Sequence, residues 1–419
     1  MNTSPKQSQL KTILAGFIGN VAEWYDFAVY GYFAAVIGPL FFPSDNPALS
    51  LVAAFGAFAA GFIVRPMGAI VFGYIGDKLG RAKALFLSMA AMAVPTIAIG
   101  LLPTYEAIGI AAPILLVLLR MVQGLSVGGE FTSSIVFLVE QAPKDRRAFI
   151  GSWSKVGATT GVLLGSAVGA IFTYFLDDAQ ISSWGWRVPF LLGFVVALAG
   201  ILFRRALAAE PKKETLKNPL KTAFVNHWRL IFKLTAMKIT LGVGFYGIFV
   251  YAVTYIREID GFSATRAFQL NLAAMLALVT LLPLASILSD RIGRKPLLLA
   301  GSGTLAFGGI PLFFLIHSTS PMTVLMGEVG FAIGIAMFSA GATATVVELV
   351  PSETRCTVVA IAHNTAMALF GGTTPLIAAW LLTSTGDPIA PGYWIAGASL
   401  FSFIAIVTTI PETRGRTLA

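Results

Sequence analysis

The sequence predicts an all-α polytopic membrane protein with twelve transmembrane helices in two six-helix repeats. Three observations predict it. The 419-residue chain is 56% hydrophobic and only 12% charged, about half the ~25% charge of soluble proteins, and its mean hydropathy is +0.81. Its apolar runs reach the roughly 20 residues that cross a bilayer, and they are continuous rather than alternating, which excludes a β-barrel. Two pairs of motifs recur at nearly one offset. The single cysteine, Cys356, excludes an internal disulfide or a Cys-based metal cluster, and His227, His317 and His363 lie too far apart for a zinc motif.

The first apolar run, 12–36, carries Glu23 and Asp26 in its middle and has no small-residue cleavage site after it, so it reads as a span and not as a leader. Runs 50–75 and 84–102 flank a polar turn at 77–83. Runs 110–138, 150–175 and 188–208 complete a first six-helix bundle, residues 1–204. The segment 205–231, with Pro211 and Pro219, is the one polar stretch long enough to separate the halves. It reads as a connection, partly amphipathic helix lying on the inner membrane surface. Runs 232–256, 267–289, 296–316, 322–349, 357–383 and 392–410 form the second bundle, residues 232–419.

Orientation follows from the basic residues. With both termini inside, the cytoplasmic turns hold Lys78, Arg81, Lys83, Lys144, Arg146, Arg147, Arg291, Arg294, Lys295 and Arg355, and the long connection adds more. The other side holds only Arg187, Arg257 and Arg266. This asymmetry predicts cytoplasmic N and C termini. The net charge of +9 is then topology bias rather than a nucleic-acid footprint.

The repeat is visible in two places. Asp77-Lys-Leu-Gly80-Arg81 is matched by Asp290-Arg-Ile-Gly293-Arg294, 213 residues on, and Glu140-x-x-Pro143 with Arg147 is matched by Glu348-x-x-Pro351 with Arg355, 208 residues on. Such internal duplication is the build of secondary transporters, with substrate near the midplane between halves. In each short turn the acid can pair with a basic residue or cap a neighbouring helix N-terminus. Asp77, Arg81, Asp290 and Arg294 are therefore candidate members of a gating latch.

The paired turns and Arg120-Met-Val-Gln123-Gly124 resemble the major facilitator superfamily. Within it, the text GNVAEWYDFAVYGY at 19–32, Arg65-Pro-Met-Gly68, Gln123-Gly-Leu-Ser-Val-Gly-Gly-Glu130, Trp184-Gly-Trp-Arg187-Val-Pro189 and Gly371-Gly-Thr-Thr374-Pro375 are similar to the metabolite:H+ symporters. The resemblance covers essentially the whole chain. It implies proton-coupled uptake across a bacterial inner membrane, with substrates such as citrate and other carboxylates, α-ketoglutarate, shikimate, or the osmolytes proline and glycine betaine.

Charges inside spans cost about 2.5–3.5 kcal/mol each on insertion scales, so they are functional candidates. In the first span Glu23, Asp26 and Tyr30 fall within about 60° of arc, with Asn20 beside them. In the fourth, Arg120, Gln123, Val127, Glu130 and Ser134 form a polar stripe, and Arg65 lies deep in the second. Two acids near two arginines predict ion pairs, with Glu23 or Asp26 as proton carrier. Glu130 and His363 are further proton candidates, His363 read as a neutral ring bonded beside Asn364. Lys155 and Lys238 either snorkel to the inner surface or face the centre. Facing the centre, they join Arg65 and Arg120 in a cation excess suited to carboxylates. Asn20, Tyr30, Gln123, Tyr246 and Asn364 are the remaining candidate substrate contacts. Gly161, Gly165 and Gly169 form a small-residue row for close helix packing.

The preferred reading is a proton symporter for a small carboxylate, a di- or tricarboxylate such as citrate. It is expected to be monomeric in the bilayer, to need no cofactor beyond the coupling proton, and not to be an enzyme. The alternative is a proton symporter for a zwitterionic osmolyte such as proline or glycine betaine. Against that alternative, the chain ends at Ala419 without the coiled-coil extension of the osmosensory members. No HExxH, phosphate loop or Ser/His/Asp set argues for catalysis.

Overall fold

Apolar runs fix where the helices lie, and local residues fix where they start and stop. The computed structural model describes residues 5–79, 81–128, 130–195 and 219–418. In chain order, α1 runs Pro5–Tyr32 and continues as Ala34–Phe41. α2 comprises Pro47–Ile63 and Arg65–Leu79, α3 is Arg81–Leu101, and α4 is Ala111–Val127 followed by Glu130–Gln141. α5 is Arg147–Phe175, and α6 is described over 187–195. In the second half, α7 comprises Pro219–Tyr246, the wide turn Gly247–Tyr251 and Ala252–Glu258. α8 is Ala264–Ile292, α9 Arg294–Ile316 and α10 Pro321–Glu348. α11 comprises Arg355–Ala366, the wide turn Met367–Gly371 and Thr374–Thr385, and α12 is Ala390–Thr409. Nine of the helices among the described residues are long and apolar enough to cross a membrane on those grounds alone.

The boundaries have local causes. Asn46 caps α2 by accepting from Ala48 N at 3.0 Å, with Pro47 at the first helical position. Ser263 caps α8 through Arg266 N. Gly386, at φ +69°, ends α11 in the left-handed conformation. α7 starts earlier than its apolar run: its helix begins at Pro219 and is kinked at His227 (φ −123°, ψ 15°). The predicted connection 205–231 is therefore helical from Pro219 onward, and 205–218 lie outside the described residues.

Glycines set the closest helix approaches. Gly124 faces Gly61 O, and Gly68 faces Leu125 O, so tightly that a Cβ at either would overlap the carbonyl. α2 and α4 thus cross backbone to backbone, which brings Arg65 and Arg120 to one level. In the small-residue row of α5, Gly161 meets Val21 O and Gly165 meets Ala28 on α1, whereas Gly169 meets the Phe268 ring on α8. The row therefore serves two neighbours.

Both ends of the bundle are closed between the halves. At one end Glu140 pairs with Arg355 at 2.6 Å and Arg147 with Glu348 at 3.5 Å. At the other, Asn271 Nδ2 donates to Tyr32 Oη and Ser166 Oγ, both at 3.0 Å. Thr265 Oγ1 donates to Thr173 O at 2.8 Å.

Candidate functional site

The buried face of α1 builds the centre. Glu23 pairs with Arg65 Nη2 at 3.6 Å, with both side chains at least 96% buried. The Arg65 guanidinium lies over three rings: Phe62 at 4.8 Å, Phe27 at 5.2 Å and Trp24 at 5.5 Å. A desolvated cation over an aromatic face gains about 2 kcal/mol, which offsets some of the cost of burying it. The expected acid–arginine pairing holds here. It does not hold directly for Asp26 and Arg120. Arg120 Nη1 donates to Gln123 Oε1 at 2.8 Å, Gln123 Nε2 donates to Thr96 Oγ1 at 2.7 Å, and Thr96 Oγ1 donates to Asp26 Oδ2 at 2.8 Å. Two neutral side chains stand between the charges. Arg120 also covers Tyr30 at 4.4 Å and Phe27 at 4.8 Å, while Nε and Nη2 find no partner among the described residues.

Lys155 and Lys238 do not snorkel. They are 4% and 3% exposed, and both face inward. Lys155 Nζ lies 4.2 Å from the Phe245 ring centre and 5.5 Å from Trp24. Lys238 Nζ lies 3.3 Å from His363 Nδ1. The histidine's neighbour is thus a lysine rather than Asn364, which instead donates to Gly128 O and Ala360 O. His363 Nδ1 can accept a hydrogen bond from that lysine.

Trp24 is the hub that sequence reasoning missed. It touches Phe131 at 5.4 Å and Phe245 at 6.3 Å edge-on, and stacks on Tyr246 at 6.4 Å. Phe131 in turn meets the His363 ring at 5.0 Å. Rings from α1, α4 and α7 therefore pack together, and Arg65, the partner of Glu23, and Lys155 both lie over the Trp24 ring. The only signal for Trp24 was its place between two intramembrane acids. Thr96, equally missed, gave no signal beyond a hydroxyl inside an apolar run.

The remaining candidates Tyr30, Asn20 and Tyr246 are equally buried. Tyr30 spends its hydroxyl on Ala54 O at 3.1 Å, and Asn20 Nδ2 bonds Ser134 Oγ at 3.0 Å. Tyr246 lies buried against Trp24 and Phe62. The Glu130 side chain lies outside the described residues.

The latch is half described, since the side chains of Asp77 and Arg81 lie outside the described residues. In the second half Asp290 does both things expected of it. Its two oxygens accept from Ala148 N at 3.0 Å and Phe149 N at 2.9 Å, capping α5 of the first half, and Oδ1 also binds Arg294 Nη1 at 2.7 Å. Arg294 itself binds within its own half, to Asp290 and to Glu348 at 3.2 Å. The contact that joins the halves is thus the carboxylate on a helix N-terminus.

An acid absent from the sequence reading is Glu328 in α10. It is fully buried, and neither oxygen has a hydrogen-bond partner among the described residues. Its position inside the run 322–349 was the available signal.

Residues 17–362 and 270–418 match the family described as Major Facilitator Superfamily. The proline/betaine transporter of Escherichia coli (strain K12) is 34% identical over 97% of this chain and 84% of its own length. The proline/betaine transporter of Salmonella typhimurium (strain LT2) is 33% identical over the same shares. A protein of Staphylococcus aureus (strain COL) is 36% identical over 97% of this chain and 90% of its own. Among solved structures, the proton:xylose symporter XylE bound to 6-bromo-6-deoxy-D-glucose superimposes with a TM-score of 0.78 at 17% identity, covering 99% of this chain and 98% of that one. The partially occluded inward open form of XylE from E. coli gives 0.74 at 19% identity, covering 98% and 99%. These two share the fold with this chain. Family match, relatives and twelve-helix architecture agree, and the chain belongs to the Major Facilitator Superfamily.

Proposed function

We propose that the chain is a proton-coupled symporter that imports a zwitterionic osmolyte of the proline or glycine betaine class by alternating access. It works in a bacterial inner membrane with both termini cytoplasmic, the two six-helix bundles rocking about the central site. The names of the E. coli and Salmonella relatives support this substrate class over the di- or tricarboxylate that the cation excess favours.

One observation carries the reading. Trp24, Phe245 and Tyr246 form one ring cluster, with Arg65, the partner of Glu23, and Lys155 both lying over the Trp24 ring. A quaternary or secondary ammonium is held by ring faces and an acid, and a single carboxylate needs one cation. Cation excess alone pointed to a multivalent anion. But Arg65 is shared with Glu23 and with three rings, and Lys238 is engaged by His363. Arg120 spends Nη1 on Gln123, and the contacts of Lys155 among the described residues are ring faces. Lys155 rests on the very rings that a substrate ammonium would use, so substrate entry displaces it toward the incoming carboxylate.

The test is uptake into proteoliposomes under an imposed pH gradient. Labelled proline or glycine betaine accumulates saturably and is released by a protonophore, while citrate and succinate do not accumulate. Gradient-driven uptake of carboxylates without proline or betaine overturns the assignment.

A further inference from the structure

The far segment of α7, Ala252–Glu258, follows the wide turn Gly247–Tyr251. It ends on the side opposite the latch, the outer side in the proposed orientation. There Arg257 Nη2 reaches Asp178 Oδ1 of the first half at 3.6 Å, and its Nε reaches Glu258 at 3.3 Å. Asp178 is 80% exposed, and an exposed pair contributes little by itself. It can hold the mouth shut only if the end of α7 is itself held in place.

Two connections hold it. His317, at the C-terminus of α9, lies with Nδ1 2.6 Å from Asp260 Oδ1 and 2.9 Å from Tyr255 Oη. Tyr255 Oη donates to Pro388 O, in the α11–α12 connection, at 2.9 Å. With that proton spent, the hydrogen between ring and carboxylate belongs to Nδ1, and Nε2 is the nitrogen that titrates. The Asp260 side chain is 2% exposed and the ring 36%, so the carboxylate is buried while the imidazole edge reaches solvent. Burial pushes the Asp260 carboxyl up, and His317 pulls it back only in part. A charged ring would strengthen the contact, because a charge-assisted hydrogen bond is about twice as strong as a neutral one. The other charged groups at this end are engaged elsewhere. Arg266, at the start of α8, donates to Gln269 at 3.3 Å, and Asp387 accepts from Ile389 N at 2.8 Å. On the outer halves of α7, α10 and α12 the other titratable groups are Tyr251, Glu328 and Tyr393.

We propose that His317 is a positioning residue for the outer gate. With its ring protonated, the imidazolium–Asp260 pair fastens the far segment of α7 to α9 and to the α11–α12 connection. Arg257 then stays on Asp178 and the mouth stays closed. With the ring neutral, the weaker bond lets the mouth open more readily. Nε2 takes its proton from hydronium on the outer side and leaves water, so acid there favours closure. This rests on the alternating-access reading above, and it acts apart from the proton carried at the centre.

Two measurements on the full chain test it, and the first needs no substrate. Spin labels at Ser182→Cys and Ile259→Cys, both exposed, report the separation of the halves at this end. The background is Cys356→Ser, because that cysteine is also exposed. With His317 present, the short distance should dominate in acid and a longer one should gain in mild alkali, across the ordinary histidine value of about 6.5. His317→Gln should show the alkaline distribution in both. The second measurement is counterflow of labelled glycine betaine in proteoliposomes with the same pH on both sides. Its rate should fall about fivefold from alkali to acid, the scale of exchanging a neutral for a charge-assisted bond. His317→Gln and Asp260→Asn should remove that fall and keep the alkaline rate. A label distance indifferent to pH, or a wild-type pH response in His317→Gln, overturns the proposal. If no betaine exchanges while the distance still responds through His317, the substrate reading fails and the gate stands. If His317→Gln does not fold, Asp260→Asn decides: loss of the pH response supports the proposal, and a wild-type response overturns it.

Discussion

Glu140 of the first half reaches Arg355 of the second at 2.6 Å, and the repeat-related pair Glu348 and Arg147 makes the opposite crossing at 3.5 Å. A duplicated acid–base pair has exchanged partners, so one duplication supplies two bridges across the seam. Glu348 is also shared with Arg294 at 3.2 Å and accepts from Thr413 Oγ1 at 2.7 Å. The second crossing is therefore the core of a network.

This predicts a charge-reversal result. Glu140→Arg and Arg355→Glu alone each destabilise the closed latch end, and the double variant restores turnover. A coupling energy of about 1–3 kcal/mol is expected for contacting groups. Initial uptake rates of the four proteins complete the cycle. Additive losses would mean that the pair does not govern closure.

Asp290→Asn loses the charge that caps α5 and binds Arg294. Maximal uptake rate should fall more than apparent affinity, because these atoms lie at the bundle end and not among the rings around Trp24. A normal rate with weakened binding would contradict a gating role.

At the centre, Trp24→Ala is predicted to raise KM for glycine betaine about thirtyfold, the equivalent of ~2 kcal/mol of desolvated cation–π contact. Trp24→Phe should fall between. A carboxylate-binding site with no ammonium pocket would leave Trp24→Phe like wild type and show its loss at Lys155→Gln instead.

Asp26→Asn should abolish accumulation while counterflow survives. Thr96→Val, which cuts the hydrogen-bonded line from Arg120 to Asp26, should shift the pH profile of uptake in the same direction with a smaller loss. An unchanged profile in Thr96→Val would detach that line from coupling.

A pH response is expected beyond α12. Burial pushes Glu412 up, but backbone N–H groups of Arg294, Arg414, Lys295 and Thr413 outweigh it, and the carboxyl ends below its usual range. A lowered folded value means stability is present above the unfolded value of about 4.3 and is lost as pH falls through the folded one. A spin label at Thr417 should therefore be immobile at neutral pH and gain mobility in acid. Glu412→Gln should be mobile at both. Equal mobility throughout would show that Glu412 does not tether this tail.

Much of the fold was legible because its signals are local. Run length gave twelve spans, and the Asp290 turn announced its partners by type. The intramembrane charges marked the centre, since burying Arg65 or Lys155 needs a reason. The partners were not legible. That Arg120 meets Gln123 and Thr96 before Asp26, and that Lys238 meets His363, depends on how α3, α4, α7 and α11 pack. Aromatic walls were hidden for another reason: among 32 Phe and 7 Trp, nothing local separates a ring that packs from one that faces a cation. The names of the relatives point away from the carboxylate that the charge count favoured, and counting cations does not show which are already engaged.

The wide turns Gly247–Tyr251 and Met367–Gly371 have a mechanical consequence. Each interrupts the regular backbone ladder in mid-helix, and such bulges are where a helix flexes most cheaply. Gly242 and Tyr246, just before the wide turn of α7, lie against Gly371 at the end of the wide turn of α11. The second half is thus creased along a line, with Lys238 and His363 on the same side of it. Folding along that crease swings the far segments of α7 and α11 while the lysine–imidazole contact rides unchanged, so one mouth can open without unmaking the floor beneath it.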